Sequence, residues 1–134
     1  MKVLLCLVFF SIVSPICAYG QNIRNMSDAE QLGMLAGLAM ACGSEKKLED
    51  FELIASRILA NQSPSDEIEK QQARIYAQAK WEAMMRQKKG NPSDCKDILE
   101  HFEQLPLFDS IVYGDGSIKF PDGAWSKPLR PVKR

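Results

Sequence analysis

The sequence predicts a mainly α protein, with a four-helix bundle-like domain followed by a short C-terminal β-hairpin-like tail. The helices are indicated by apolar residues that recur three and four positions apart, and by serine, proline and glycine at the ends of these patterns. The tail is indicated after Pro106, where the helical period stops and two Asp-Gly turns separate short apolar runs. The expected helices cover about 27–42, 45–61, 64–89 and 92–105.

The first helix begins at a capping box over Ser27–Glu30, where the serine and glutamate side chains satisfy backbone amides. It stops at Gly43, which can adopt the left-handed conformation that follows many helices. Between these ends, Gly33, Gly37 and Ala41 are spaced four residues apart, as in helices that pack closely in membranes. A span needs roughly 20 residues, so we expect a core helix with a neighbour against its glycines.

The other three helices are predicted from similar signals. In the second, the apolar stripe consists of Leu48, Phe51, Ala55, Ile58 and Leu59. The third is expected to start within Ser63–Asp66, because serine caps and proline suits the first turn, and to end at Gly90. The fourth opens at Asn91–Pro92 and ends at Leu105–Pro106, where proline excludes helical geometry from the residue before it.

The C-terminal residues predict a short hairpin. Two apolar runs, 111–113 and 117–120, flank the turn Gly114–Gly116, and a second turn signal, Pro121–Gly123, follows them. Two strands alone are marginal in water, so this extension, 106–126, must pack on the helical domain of 21–105 or on a partner. We expect the last segment, 127–134, to be a flexible basic tail.

The N-terminal segment 1–20 has the order of a secretory signal peptide. One positive charge precedes an apolar run over 3–13, and small residues follow a proline. Cleavage after Ala18 or Gly20 is expected. An uncleaved anchor and lipidation at Cys17 are alternatives, although the apolar run is shorter than the roughly 20 residues of a span. These features predict export to the periplasm, with secretion from the cell as an alternative.

Two cysteines remain after the predicted cleavage, Cys42 and Cys95. In an exported protein two cysteines usually pair, and closing this loop would stabilise the fold by about 4 kcal/mol in the chain-entropy model. Free thiols or metal ligands are the alternatives. A metal site is disfavoured because His101 is the single histidine, and the lack of a C-x-x-C motif disfavours disulfide exchange.

The charge of the mature chain is close to balanced. All seventeen acidic residues and sixteen of the seventeen basic ones lie after Gly20. Without a basic excess, no nucleic-acid partner is predicted. The tail is locally basic, and it offers the one predicted contact with anionic lipid, or with an acidic partner, through Lys127, Arg130, Lys133 and Arg134.

No constellation of residues predicts catalysis. His101 is expected on the polar side of the fourth helix, which is typical of a surface histidine. Four carboxylates that might serve acid–base chemistry line the same amphipathic helix: Asp94, Asp97, Glu100 and Glu103. The tail aspartates lack the spacing of a calcium-binding EF-hand, and phosphate-binding and dinucleotide motifs are missing from the sequence. We therefore expect a non-enzymatic protein with no cofactor and no metal.

Protein binding is the remaining expectation. The tail is dense in aromatic residues, Tyr113, Phe120 and Trp125, and aromatic residues beside lysine and arginine are favoured in interfaces. The alternative is that these rings fold back and cover the bundle. A second candidate surface lies on the long third helix around Trp81 and Arg86, again with core packing as the alternative.

The overall pattern resembles small exported helical accessory proteins of bacterial type IV secretion systems, including Dot/Icm-like machinery. The signal segment and three further stretches carry the resemblance: LGMLAGLAMACG, KWEAMMRQKKGNPSDC and FDSIVYGDGSIKFPDGAW. It implies a periplasmic accessory protein that contacts a protein partner in the cell envelope, and it assigns no functional residue. Two other classes remain open: a periplasmic immunity or inhibitor protein directed against a secreted enzyme, and an acid-stress chaperone.

Overall fold

A computed structural model describes residues 26–90 and 94–131, and the predicted signal peptide, 1–20, lies outside the described residues. The structure confirms the mainly α class. The helices are α1 (Asp28–Ala41), α2 (Lys46–Asn61), α3 (Asp66–Lys89) and α4 (Cys95–Glu103). A short 3-10 helix at Pro106–Asp109 leads to the strands β1 (Ile111–Val112), β2 (Ile118–Lys119) and β3 (Trp125–Ser126).

The ends of α1 and α4 follow from local chemistry. The predicted capping box is present in α1: the Ser27 amide donates to the Glu30 carboxylate at 2.7 Å, and the Glu30 amide donates to the Ser27 hydroxyl at 3.3 Å. Helix α4 ends at Glu103, slightly before the expected 105, and the chain tightens into the 3-10 helix at Pro106. The predicted start at Asn91–Pro92 lies outside the described residues.

The start of α3 differs from the prediction. Ser65, not Ser63, is the capping residue, since its hydroxyl accepts a hydrogen bond from the Ile68 amide at 3.2 Å. Ser63 is fully buried, and its hydroxyl donates to the Leu59 carbonyl oxygen at 2.7 Å. The sequence offers two serines for one cap, and burial of the first against the end of α2 leaves the second to begin the helix.

The neighbour of the small residues in α1 is α3. A Cβ atom added at Gly33 would overlap the carbonyl oxygen of Tyr76, and one added at Gly37 would overlap that of Lys80. Gly33 meets Tyr76, and four residues later in both helices Gly37 meets Lys80. Helices α1 and α3 therefore run parallel. Glycine lets the two backbones approach this closely, which is the small-residue packing known from membrane helices, formed here in a protein core.

The main core lies between α1, α2 and α4. Its buried residues are Ala36, Ala39, Leu48, Phe51, Ala55 and Phe102. Phe51 and Phe102 have ring centroids 5.1 Å apart, and Phe108 of the 3-10 helix meets Phe102 edge to face at 5.5 Å. These ring contacts hold α4 and the 3-10 helix against α2.

The predicted disulfide is confirmed. Cys42, the C-terminal capping residue of α1, is bonded to Cys95, the first residue of α4, and their Cα atoms are 5.2 Å apart. The bond joins residues 53 positions apart in sequence. It therefore fixes the end of α1 to the start of α4, as expected.

The C-terminal extension is a three-stranded antiparallel sheet in the order β1-β2-β3, one strand more than the predicted hairpin. Two turns with the same hydrogen-bond pattern connect the three strands: Tyr113–Ser117 and Phe120–Ala124. In each, the first residue is aromatic, an aspartate carboxylate accepts the amide two positions on at 2.9 Å, and the next glycine has φ near 88°. The second turn returns the chain for β3 to pair with β2.

The sheet meets the helices through one apolar and one polar residue. Ile118 of β2 is fully buried in a second cluster with Ile54 and Ile58 of α2. The amide of Asn61, at the end of α2 and 2% exposed, contacts the carbonyl oxygens of Gly116 at 3.0 Å and of Ser126 at 3.2 Å. Asn61 thus ties the loop before β2 and the end of β3 to the end of α2.

Candidate protein-interaction surface

The face of the sheet opposite to Ile118 is exposed. Side chains alternate along a strand, and directly paired residues share a face, so the register places Ile111, Lys119 and Trp125 in one row across the three strands. Ile111 is 55% exposed and Trp125 is 47% exposed. We use the name outer face for this surface, which consists of Ile111, Tyr113, Lys119, Trp125 and Lys127.

An aromatic pair lies at the centre of the outer face. The ring centroids of Tyr113 and Trp125 are 5.3 Å apart with a 30° angle between the planes, and both side chains remain at least 40% exposed. The small Ser117, directly before β2, lies between the two outer strands at this level and is 5% exposed. A large side chain at this position would keep the two rings apart.

Two lysines flank the aromatic pair. The ammonium groups of Lys119 and Lys127 each lie 5.8 Å from the ring centroid of Trp125, within the range of a cation–π contact. Within residues 26–90 and 94–131, neither lysine forms a salt bridge. The neighbouring Asp115 carboxylate accepts the Ser117 hydroxyl at 2.6 Å, and bonding from Ser117 holds the pKa of Asp115 below its usual range. Its charge thus stabilises its own turn.

An open groove of about 610 Å³ separates the aromatic pair from the segment 127–131. This segment is held by Arg130, whose guanidinium pairs with Asp66 and Glu69 and donates from Nε to the Ser63 carbonyl oxygen at 3.1 Å. The Asp66 carboxylate raises the pKa of Arg130. Residues 132–134, with Lys133 and Arg134, lie outside the described residues, so the flexible basic tail over 127–134 stays a prediction.

The remaining predicted interaction residues lie elsewhere. Phe120 is half-buried and packs against the cluster that contains Ile118, on the inner side of the sheet. Trp81 is 60% exposed on α3, and Arg86 is also exposed on that helix. Five residues of helix turn the side chain by about 140°, so Trp81 and Arg86 do not share one face. The structure therefore brings together only Tyr113 and Trp125 of the five.

Sequence reasoning missed Ile111, Lys119 and Asn61. The register that aligns Ile111 with Lys119 and Trp125 depends on both Asp-Gly turns having the same geometry. The repeated pattern of an aromatic residue, any residue, Asp and Gly was the available signal for it. Asn61 had no comparable signal, because its partners are 55 and 65 positions away in the chain.

Other kinds of site concern metal ions, the single histidine and membranes, and the statements here hold for the part of the chain that the structure describes. There, no group of three or more histidine, cysteine, aspartate or glutamate side chains is placed to hold a metal ion. His101 is exposed, and its Nδ1 lies 2.7 Å from the Asp97 carbonyl oxygen of the same helix. Among these residues, no helix has both the length and the hydropathy to cross a bilayer. Comparisons with protein-family models, curated proteins and solved structures found no match.

Proposed function

We propose that this chain is a non-enzymatic protein that acts by contact with a protein partner, as an accessory component of a secretion system or envelope assembly in the periplasm. The observation that carries this proposal is the location of the exposed apolar side chains. Of eight large apolar side chains that are exposed in the described residues, five lie between positions 111 and 129. Ile111, Tyr113 and Trp125 lie on the outer face and Leu129 lines the groove beside it, whereas Val112 pairs with Ile118 on the opposite face.

Such a concentration of apolar surface has a physical meaning. Exposed apolar residues scattered singly are normal in globular proteins, whereas contiguous patches mark interaction sites. Tyrosine and tryptophan are also the residues that contribute most to interface affinity. The sheet presents them on a base fixed to α2 by Ile118 and Asn61, so binding requires little ordering of the backbone. The Cys42–Cys95 bond is compatible with an exported location.

The proposal is tested by affinity capture from the native envelope with the mature chain as bait. Trp125→Ala and Tyr113→Ala are expected to lose the partner. Leu53→Ala is the matched control, because Leu53 is 67% exposed on α2, away from the outer face. Each variant is first checked for an unchanged circular dichroism spectrum and melting temperature.

The outcomes separate the open functions. The proposal is supported if the wild-type chain recovers a secretion or envelope subunit and both Trp125→Ala and Tyr113→Ala fail to recover it. A secreted hydrolase in its place indicates an immunity protein, and many unfolded clients captured only at low pH indicate a chaperone. If Trp125→Ala binds normally but Trp81→Ala or Arg86→Ala does not, the interaction surface is on α3 and the outer face is not the site.

A further inference from the structure

We propose that the outer face binds an extended, acidic protein segment that carries an apolar side chain. The inference rests on the proposed function, since it assigns the chemistry of the partner at the same surface. Three features of the sheet support it: the charge around the aromatic pair, the groove beside it and the edge of β1.

The charge selects an acidic partner. Lys119 and Lys127 flank Trp125, and within the described residues no carboxylate forms an ion pair with either. The carboxylates of both turns are engaged locally, Asp115 by Ser117 and Asp122 by the Ala124 amide at 2.9 Å. The Asp115 carboxylate also attracts Lys127, although the two form no ion pair. Glutamate or aspartate side chains of a partner would therefore meet two ammonium groups outside any ion pair of the described residues, an arrangement that increases association rate and specificity.

The aromatic pair selects an apolar anchor within that segment. Ile111 and Trp125 are about half exposed and lie in the same cross-strand row as Lys119. An apolar partner side chain placed beside the Tyr113–Trp125 rings would remove much of this surface from water. The open groove of about 610 Å³ next to the rings gives it space.

The edge of β1, which pairs with no second strand among the described residues, favours an extended partner. The sheet order places β1 at the edge, and both of its residues are exposed, Ile111 at 55% and Val112 at 40%. The Tyr113 amide bonds to the Ser117 carbonyl oxygen at 2.9 Å. The alternation of an antiparallel ladder then directs the amide and carbonyl of Val112 away from β2. An added strand can pair there, which is the mode of recognition that many sheet edges use.

A library of short random peptides tests the proposal without knowledge of the natural partner. The bait is the mature, disulfide-bonded chain, and bound peptides are sequenced after competition at low and high salt. We expect enriched peptides to combine aspartate or glutamate with an apolar residue. Affinity should fall about tenfold for the double variant Lys119→Gln, Lys127→Gln, because opposed charges at a rim act mainly on association and salt dependence. N-methylation of the central backbone amides of the peptide should weaken binding further.

A matched variant controls for net charge. Lys70→Gln with Lys88→Gln removes the same two charges from exposed positions of α3, and it should bind within about twofold of the wild-type chain. Equal losses for the two double variants would overturn the assignment of charge to the outer face.

The remaining outcomes separate the two proposals. Apolar peptides without acids, bound equally by the lysine variant but lost by Trp125→Ala, would leave the protein-contact function standing and overturn the acidic partner. Peptides bound equally by wild type and Trp125→Ala, or no enrichment at all, would overturn the acidic segment, whereas the protein-contact function is decided separately by the envelope capture. Binding to phosphatidylglycerol vesicles without any peptide enrichment would show a lipid surface as the occupant and likewise overturn the acidic protein segment.

Discussion

Along α1 and α3, Gly33 and Gly37 bring two helix backbones so close that no Cβ atom fits between them. The sheet rests on α2 in a different way, through the single buried side chain of Ile118 and the hydrogen bonds of Asn61. The helix pair therefore depends on the shape of a long contact, and the sheet depends on a few specific atoms.

This difference explains how one small chain can provide both a scaffold and an exposed surface. A long close contact tolerates no added volume, so it makes the helical part rigid. The sheet needs only its inner face for folding, and Ile118 and Phe120 occupy that face. The outer face, with Tyr113 and Trp125, is then left for a partner. The following changes test this division, from the largest expected effect to the smallest.

Removal of the disulfide should have the largest effect. Replacing Cys42 and Cys95 by alanine releases a loop of 53 residues, and we expect the free energy of unfolding to fall by about 4 kcal/mol. Urea denaturation of the mature chain measures this change, and reduction of the wild-type protein is the matched control. Labelling of two thiols in the denatured, unreduced wild type would contradict the bond itself.

Gly37→Ala tests the close contact of α1 with α3. The added methyl group would overlap the Lys80 carbonyl oxygen, so we expect a loss of about 2 to 3 kcal/mol in the free energy of unfolding, from overpacking. Gly114→Ala is the control, because a Cβ there meets no atom within 4 Å. A gain in stability for Gly37→Ala, as alanine gives in an open helix, would show that the two helices separate easily.

Asn61→Ala tests the attachment of the sheet. The variant loses the hydrogen bonds from Asn61 to the carbonyl oxygens of Gly116 and Ser126, at a cost of about 2 kcal/mol. We expect hydrogen exchange to speed up in 111–126 more than in α1. Gln62→Ala is the control, since Gln62 is the exposed next residue and donates to Asp28 in the first turn of α1. Equal acceleration in sheet and helices would mean that the two parts unfold as one unit.

A pH titration gives the smallest expected effect, on the helical side. Burial, and then the Glu52 carboxylate, raise the pKa of Tyr76 above its ordinary value of 10.0. Because the folded state holds this proton more tightly, the related stability is fully present below about pH 10 and is lost as the pH rises beyond it.

The midpoint of urea denaturation should fall as the pH rises above about 10, and Tyr76→Phe should therefore make this fall smaller. Tyr113→Phe, which changes the exposed tyrosine of the outer face, should leave that fall unchanged. An identical alkaline profile for Tyr76→Phe and the wild type would show that Tyr76 does not keep its proton in the folded state.

Much of the helical part was predictable because its signals are local. The capping box at Ser27, the glycine after α1 and the apolar stripe of α2 each act within a few residues, and the helix bounds agree with them closely. The start of α3 was placed too early, since the burial of Ser63 depends on its contact with Leu59 at the end of α2.

The candidate surface was predictable only in part. Aromatic density indicated Tyr113 and Trp125, but it also indicated Phe120, which the sheet places on the inner side. The two Asp-Gly turns decide which residues face outward, because a shift of one residue in register exchanges the faces of a strand. That register became visible only with the paired strands.

The sequence alone predicted the four helices, the two Asp-Gly turns and, as the favoured alternative, the pairing of Cys42 with Cys95, because caps and periodicity act locally and two cysteines remain after the predicted cleavage. Only the tertiary structure decided that α3 lies against Gly33 and Gly37, that Asn61 supports the sheet, and that Trp125 is exposed while Phe120 is not. The physical reason is that these outcomes depend on contacts between residues far apart in the chain, and such contacts leave no pattern in the local sequence.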